Sequence, residues 1–135
     1  MAQYSILLAD RNRGNEILLR TLFKEIAPPH EFHWVQQQEE ALDYLFQRGG
    51  QQEARRPSLI ILGLSDPAAI LRILKQDEER RAIPVVVMTP GFSKAEVQEF
   101  YRLGASAYVK MPTSYDGVAD LVAAMCRLWL NFATA

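Results

Sequence analysis

The chain has 135 residues, 49% of them apolar and 23% charged, enough to bury a core without disulfides or a structural metal and too apolar for a disordered segment. Fifteen Lys and Arg residues meet 16 Asp and Glu residues for a net charge of -1, which leaves no basic field to hold nucleic acid or an anionic membrane. The opening Met1-Ala2-Gln3-Tyr4 carries no charge, and the apolar run 6–9 is too short for a signal sequence or a membrane span, so a single cytoplasmic domain over residues 1–135 is expected.

Residues 5–9 read as a first strand, closed by the polar loop 10–14. Asn15 then reads as the cap of a helix whose Ile17, Leu18, Leu22, Phe23 and Ile26 recur at spacings suited to one buried face, and Pro28-Pro29 end it. A weaker strand is predicted over 32–35. A helix follows over 39–48, with Ala41, Leu42, Leu45 and Phe46 buried and Gly49-Gly50 as its stop.

Residues 59–62 are apolar without alternation, as in a central parallel strand covered on both faces. A short helix from 68 to 76 leads through the charged run 77–81, a solvated helix end, to a second buried strand over 85–88. Ser93 and Glu96 have capping-box spacing at the start of a helix that should bury Val97, Phe100, Tyr101 and Leu103 and stop at Gly104. Residues 107–109 make a last strand. The last helix, 116–132, carries Val118, Leu121, Val122, Met125, Leu128, Trp129 and Phe132 on one side. Cys126 lies within that helical pattern and reads as a core thiol in a reducing compartment.

Strands alternating with helices predict an α/β fold, a doubly wound five-stranded parallel sheet. Chemistry in such sheets gathers beyond the C-terminal strand ends, here after Ala9, Leu62, Met88 and Val109.

Four segments at those ends, Ile6-Leu7-Leu8-Ala9-Asp10, Leu59-Ile60-Ile61-Leu62-Gly63, Val85-Val86-Val87-Met88-Thr89 and the run from Gly104 through Lys110-Met111 to Pro112, resemble in order and spacing a response-regulator receiver domain over nearly the whole chain. The stretches 41–46 and 128–130 further resemble stand-alone receivers that accompany phytochrome-type sensor kinases. The resemblance implies a flavodoxin-like fold. In that family an aspartate ending the third strand is the phosphoryl nucleophile, an acidic pair after the first strand holds magnesium, and a hydroxyl and a lysine bind the phosphoryl oxygens.

This chain departs from that pattern. Gly63 stands at the nucleophile position, and the acidic pair aligns with Asp10 and Arg11, so a guanidinium replaces one metal carboxylate. An Asp10–Arg11 salt bridge in place of the metal is expected. The lysine position aligns with Met111 before Pro112, with Lys110 one residue early and directed to the opposite face. Thr89 keeps the hydroxyl and Tyr108 the switch aromatic, although core packing would also account for either, and Met111-Pro112 matches the family's cis peptide.

The resemblance therefore implies a pseudo-receiver, not an enzyme and with no cofactor or bound metal, that works by recognising protein partners such as a sensor kinase or another signalling protein. The fourth helix, fifth strand and fifth helix form the usual contact face of receivers, with Gln98, Arg102, Tyr108, Trp129, Leu130 and Phe132 as the candidates here and a homodimer as one form of contact. The alternatives are a receiver phosphorylated on a displaced carboxylate, Asp66 or Asp10, and a domain binding another small ligand in the emptied pocket. His30 and His33 read as surface histidines, since their spacing fits no common metal motif.

Overall fold

The structure, a computed structural model of the chain, describes residues 4–28, 31–88 and 91–130. Strands β1 (Ser5–Asp10), β2 (Glu31–Val35), β3 (Leu59–Gly63), β4 (Val85–Met88) and β5 (Ala107–Val109) form one parallel sheet in the order β2-β1-β3-β4-β5. Helices α1 (Arg13–Ile26), α2 (Gln38–Leu45), α3 (Pro67–Lys75), α4 (Lys94–Arg102) and α5 (Tyr115–Met125) alternate with them, giving the doubly wound architecture expected, with β3 central.

The continuously apolar strands divide by parity, because successive side chains leave opposite faces of a sheet. Leu7, Ala9, Ile60, Leu62, Val85 and Val87 pack with Ala41, Ile70, Leu74 and Phe100 from α2, α3 and α4. Ile6, Leu8, Leu59, Ile61, Val86 and Met88 pack with Leu19, Leu22, Phe23, Val118, Val122 and Met125 from α1 and α5. Each fully buried aliphatic side chain contributes about 1.5–3 kcal/mol. Cys126 is buried in the second of these layers, where desolvation raises its thiol pKa.

Several helix faces differ from the sequence reading. The N-cap of α1 is Asn12, whose side chain accepts the Asn15 N–H, so the helix starts two residues before Asn15. Its buried stripe is Glu16, Leu19, Leu22 and Phe23, leaving Ile17 52% exposed and Ile26 exposed as well. Hydropathy misplaced the stripe because a carboxylate occupies a core-facing position, where Arg20 Nε donates to Glu16 Oε2 at 2.5 Å. Arg20 also donates to the Phe32 carbonyl at 3.0 Å on the outer edge of β2. Helix α2 ends at Leu45, short of the expected Arg48, since Gln47 already adopts φ 55° and the Arg48 N–H closes onto the Asp43 carbonyl.

The capping box at Ser93 and Glu96 forms as expected, and Gly104 ends α4 at φ 102°. Of the four residues expected to be buried there only Phe100 is, because α4 lies over the three-residue edge strand β5 and Tyr101 points outward. After Met125 the chain continues as a π-helical turn, Cys126–Leu130. Its i→i+5 bonding inserts a residue and rotates the face that meets the core. Leu128 is consequently 55% exposed, while Leu130 is 1% exposed within the core, the reverse of the expectation that placed Leu130 on a contact surface. Phe132 lies outside the described residues.

Candidate functional site

Asp10 and Gly63 are direct partners in the pairing of β1 with β3, at the C-terminal ends of both strands. The Asp10 side chain is buried with its residue 5% exposed, and both carboxylate oxygens are taken. The Asn12 backbone N–H donates to Oδ1 at 2.7 Å and the Asn15 side-chain amide donates to Oδ2 at 3.2 Å. The Asp10 carbonyl in turn accepts the indole N–H of Trp34 at 2.7 Å, from the neighbouring strand β2. A buried carboxylate needs such donors, since one left unpaired costs several kcal/mol.

Gly63 has no side chain to separate it from this carboxylate. A Cβ at that position would lie 2.8 Å from Asp10 Oδ2 and 3.0 Å from the Met88 carbonyl oxygen on β4. Asp10 therefore occupies space that a side chain at position 63 would need.

The expected Asp10–Arg11 bridge does not form. Arg11 is exposed and has no ion pair among the described residues, because the chain turns away from the sheet directly after β1 while Asn12 and Asn15 satisfy the acid. A guanidinium already in water gains little by returning.

Lys110 is exposed just beyond β5, and Met111 is half-buried against the α1/α5 layer. Pro112 is half-buried beside Gly117, whose N–H bonds the Ser114 cap of α5. The Met111-Pro112 peptide is trans, contrary to the expectation of a cis bond. Thr89 lies outside the described residues.

Tyr108 is half-buried in an aromatic group with Phe92 and Phe100, and its backbone N–H donates to the Tyr101 hydroxyl at 2.9 Å. Gln98 is exposed, and Arg102 is exposed and held by Glu99 on its own helix. Trp129 is half-buried against the α1/α5 layer.

Asp66 caps α3, its Oδ1 accepting the Ala69 N–H at 3.2 Å, and its carbonyl accepts the Gln38 amide. His33 is half-buried on the edge strand β2 and stacks on the Tyr44 ring at 4.2 Å with 18° between planes. Burial lowers its pKa against a smaller raising effect of Glu31. His30 lies outside the described residues. No group of three or more His, Cys, Asp or Glu side chains converges among the described residues.

Sequence reasoning missed the donors that hold Asp10. The sequence pattern points to Asn15 as a cap, while the Asp10-x-Asn12 spacing, an Asx-turn pattern, is the signal that marks the bond to Asp10. Trp34 and Glu16 carried none, since the closure of one onto the Asp10 carbonyl and the pairing of the other with Arg20 are tertiary.

The chain is 29% identical over 132 residues to the probable methanogenesis regulatory protein FilR2 of Methanothrix harundinacea, covering 96% of this chain and 85% of that one. It is 26% identical over 133 residues to the response regulator Rcp1 of Synechocystis, covering 96% and 90%. The phosphorylated cyanobacterial phytochrome response regulator RcpA superposes with a TM-score of 0.87 at 28% identity, covering 99% of this chain and 97% of that one. The chain is homologous to response-regulator receiver domains. The Mn(2+)-bound form of Rcp1 superposes at a TM-score of 0.84 and 26% identity, over 94% of each chain. No protein-family model matches. The fold is the flavodoxin-like receiver fold, with Asp10 and Gly63 at the strand ends where receivers carry their phosphorylation chemistry. No described helix is long and apolar enough to cross a membrane.

Proposed function

We propose that this chain is a pseudo-receiver, a single cytoplasmic signalling domain that is not phosphorylated and acts through contacts with protein partners. The observation that carries this reading is the Asp10–Gly63 pair: the nucleophile position has no side chain, and the remaining carboxylate fills the space and is bonded by Asn12 and Asn15. An acyl phosphate needs a carboxylate within reach of activating groups. Asp66 is exposed and spent on capping α3, which weighs against it as a substitute nucleophile.

A divalent cation fits this donor set poorly. Magnesium takes oxygen ligands in near-octahedral geometry, whereas here one carboxylate remains, both its oxygens accept protein hydrogen bonds, and Arg11 follows it. Without phosphorylation at position 63 no phosphoryl donor shifts a population between two states, so a partner meets the same surface whether or not such a donor is present. Tyr101 on α4 and Leu128 after α5 are exposed, and Trp129 is half-buried, apolar side chains suited to contact with a sensor kinase, another signalling protein or a second copy.

Intact mass after incubation with acetyl phosphate and magnesium tests the reading, with Asp10→Asn and Asp66→Asn variants in parallel. No added phosphoryl group is expected. A stable adduct abolished by either substitution would overturn the reading in favour of a relocated nucleophile.

A further inference from the structure

At the end of the sheet opposite Asp10 and Gly63, where the chain enters β3 and β4, the surface opens into a small cleft of about 90 Å3. Its apolar floor is Leu45, Pro57 and Ile83, all buried, and its rim carries three guanidinium groups, Arg55, Arg56 and Arg80. Such a combination, a concave apolar base with a few polar groups at its edge, is the usual form of a small-molecule site.

The three arginines are not equivalent. Arg80 is immobilised: its Nε donates to the Leu45 carbonyl at 2.6 Å, its Nη1 bonds both oxygens of Asp77, and its guanidinium lies 4.5 Å from the centre of the Phe46 ring. The Glu79 carboxylate is drawn towards it, 3.9 Å away, so the charge of Arg80 is already balanced. Arg56 gives one N–H to the backbone carbonyl of Glu79, which fixes its position without neutralising it. Arg55 and Arg56 have no carboxylate within 4.0 Å among the described residues. Arg55 and Arg56 thus bring two exposed guanidiniums without a carboxylate partner to the rim of one cleft, and an oxyanion bound there would take charge-assisted hydrogen bonds from them.

We propose that this cleft binds a small organic phosphate, with the phosphoryl oxygens on Arg55 and Arg56 and an apolar body against Leu45, Pro57 and Ile83. The site is separate from the strand ends where receivers are phosphorylated, and it gives the domain a ligand input that does not pass through position 63.

Amide and methyl NMR titration with phenyl phosphate and with inorganic phosphate tests this, on the unmodified chain, on Arg55→Gln and on the Arg55→Gln/Arg56→Gln pair, with thermal midpoints checked for each. The expected result is saturable perturbation centred on Leu45 and Ile83, tighter binding of phenyl phosphate than of inorganic phosphate, and about a tenfold weakening in Arg55→Gln. Because the Arg55 side chain makes no hydrogen bond or ion pair among the described residues, and its main-chain bond to Tyr44 survives the substitution, that single variant keeps the test valid even if the pair is destabilised. Perturbation that does not saturate or lies elsewhere, equal affinity for the two probes, or unchanged affinity in Arg55→Gln would overturn the proposal.

Discussion

The hydroxyl of Tyr101, at the end of α4, accepts the backbone N–H of Tyr108 from the middle of the edge strand β5 at 2.9 Å. A side chain therefore does for this strand what a sixth strand would otherwise do. Tyr101→Phe should remove the acceptor, cost about 0.5–1.5 kcal/mol, and accelerate exchange of the Tyr108 amide relative to those of β3. Hydrogen exchange followed by NMR reads this directly, and unchanged protection of that amide would show the contact to be unimportant.

Gly63→Asp should not be tolerated as a simple restoration. Its Cβ would already lie 2.8 Å from Asp10 Oδ2, and its carboxylate would bring a second acid to the same buried space. The substitution should cost at least about 2 kcal/mol at neutral pH. One of the two acids would then have a folded pKa above its unfolded value, so the deficit should shrink as pH falls through that raised pKa. Urea denaturation at pH 7 and pH 5 measures it, with Gly63→Ala separating the steric from the electrostatic part.

Asn15→Ala removes the side-chain donor to Asp10 and leaves a buried carboxylate with fewer partners. The expected loss is about 1–3 kcal/mol. In the Asp10→Asn background the same substitution should cost less, because the charge it serves is gone, and a double-mutant cycle by chemical denaturation checks this.

His33 should make stability depend on pH. Burial lowers its folded pKa below the ordinary value of about 6.5, so its contribution is complete above that value and is lost as pH falls through the lowered one. Glu31, Glu40 and Arg20 face the same ring, with Glu31 and Glu40 raising the pKa and Arg20 lowering it. His33→Phe, which keeps an aromatic ring over Tyr44, should flatten the fall in stability between pH 7 and pH 5. An equally steep fall in the variant would assign the effect to other groups.

The π-helical turn predicts opposite outcomes for two leucines two residues apart. Leu130→Ala should cost about 2–5 kcal/mol by opening a cavity, whereas Leu128→Ala should stay within about 0.5 kcal/mol. Thermal or urea denaturation of the two variants distinguishes this phase from that of an uninterrupted α-helix.

Strand positions could be read from the sequence because fully buried strands such as Leu59–Gly63 and Val85–Met88 need apolar residues on both faces, a pattern that leaves little freedom. Helix faces were harder. Glu16 sits inward because Arg20 pairs with it, and Leu130 sits inward because the helix changes its period at Cys126, and neither fact is visible in hydropathy. At the candidate site Gly63 and Arg11 are legible from residue type alone as departures from the pattern that the sequence resembles. The salt bridge expected between Asp10 and Arg11 failed because two asparagines within five residues of the acid are better placed to bond it.

Arg20 on the Phe32 carbonyl, at the outer edge of β2, has a counterpart in Tyr101 at the other border of the sheet. With one main-chain group at each border already engaged by a side chain, an approaching polypeptide finds the edge template interrupted on both sides. Recognition must then be read from the identities of surface side chains, a vocabulary that single codon changes rewrite one contact at a time. A lineage that duplicates this gene can consequently redirect each copy to a new associate while leaving the sheet that supports it untouched.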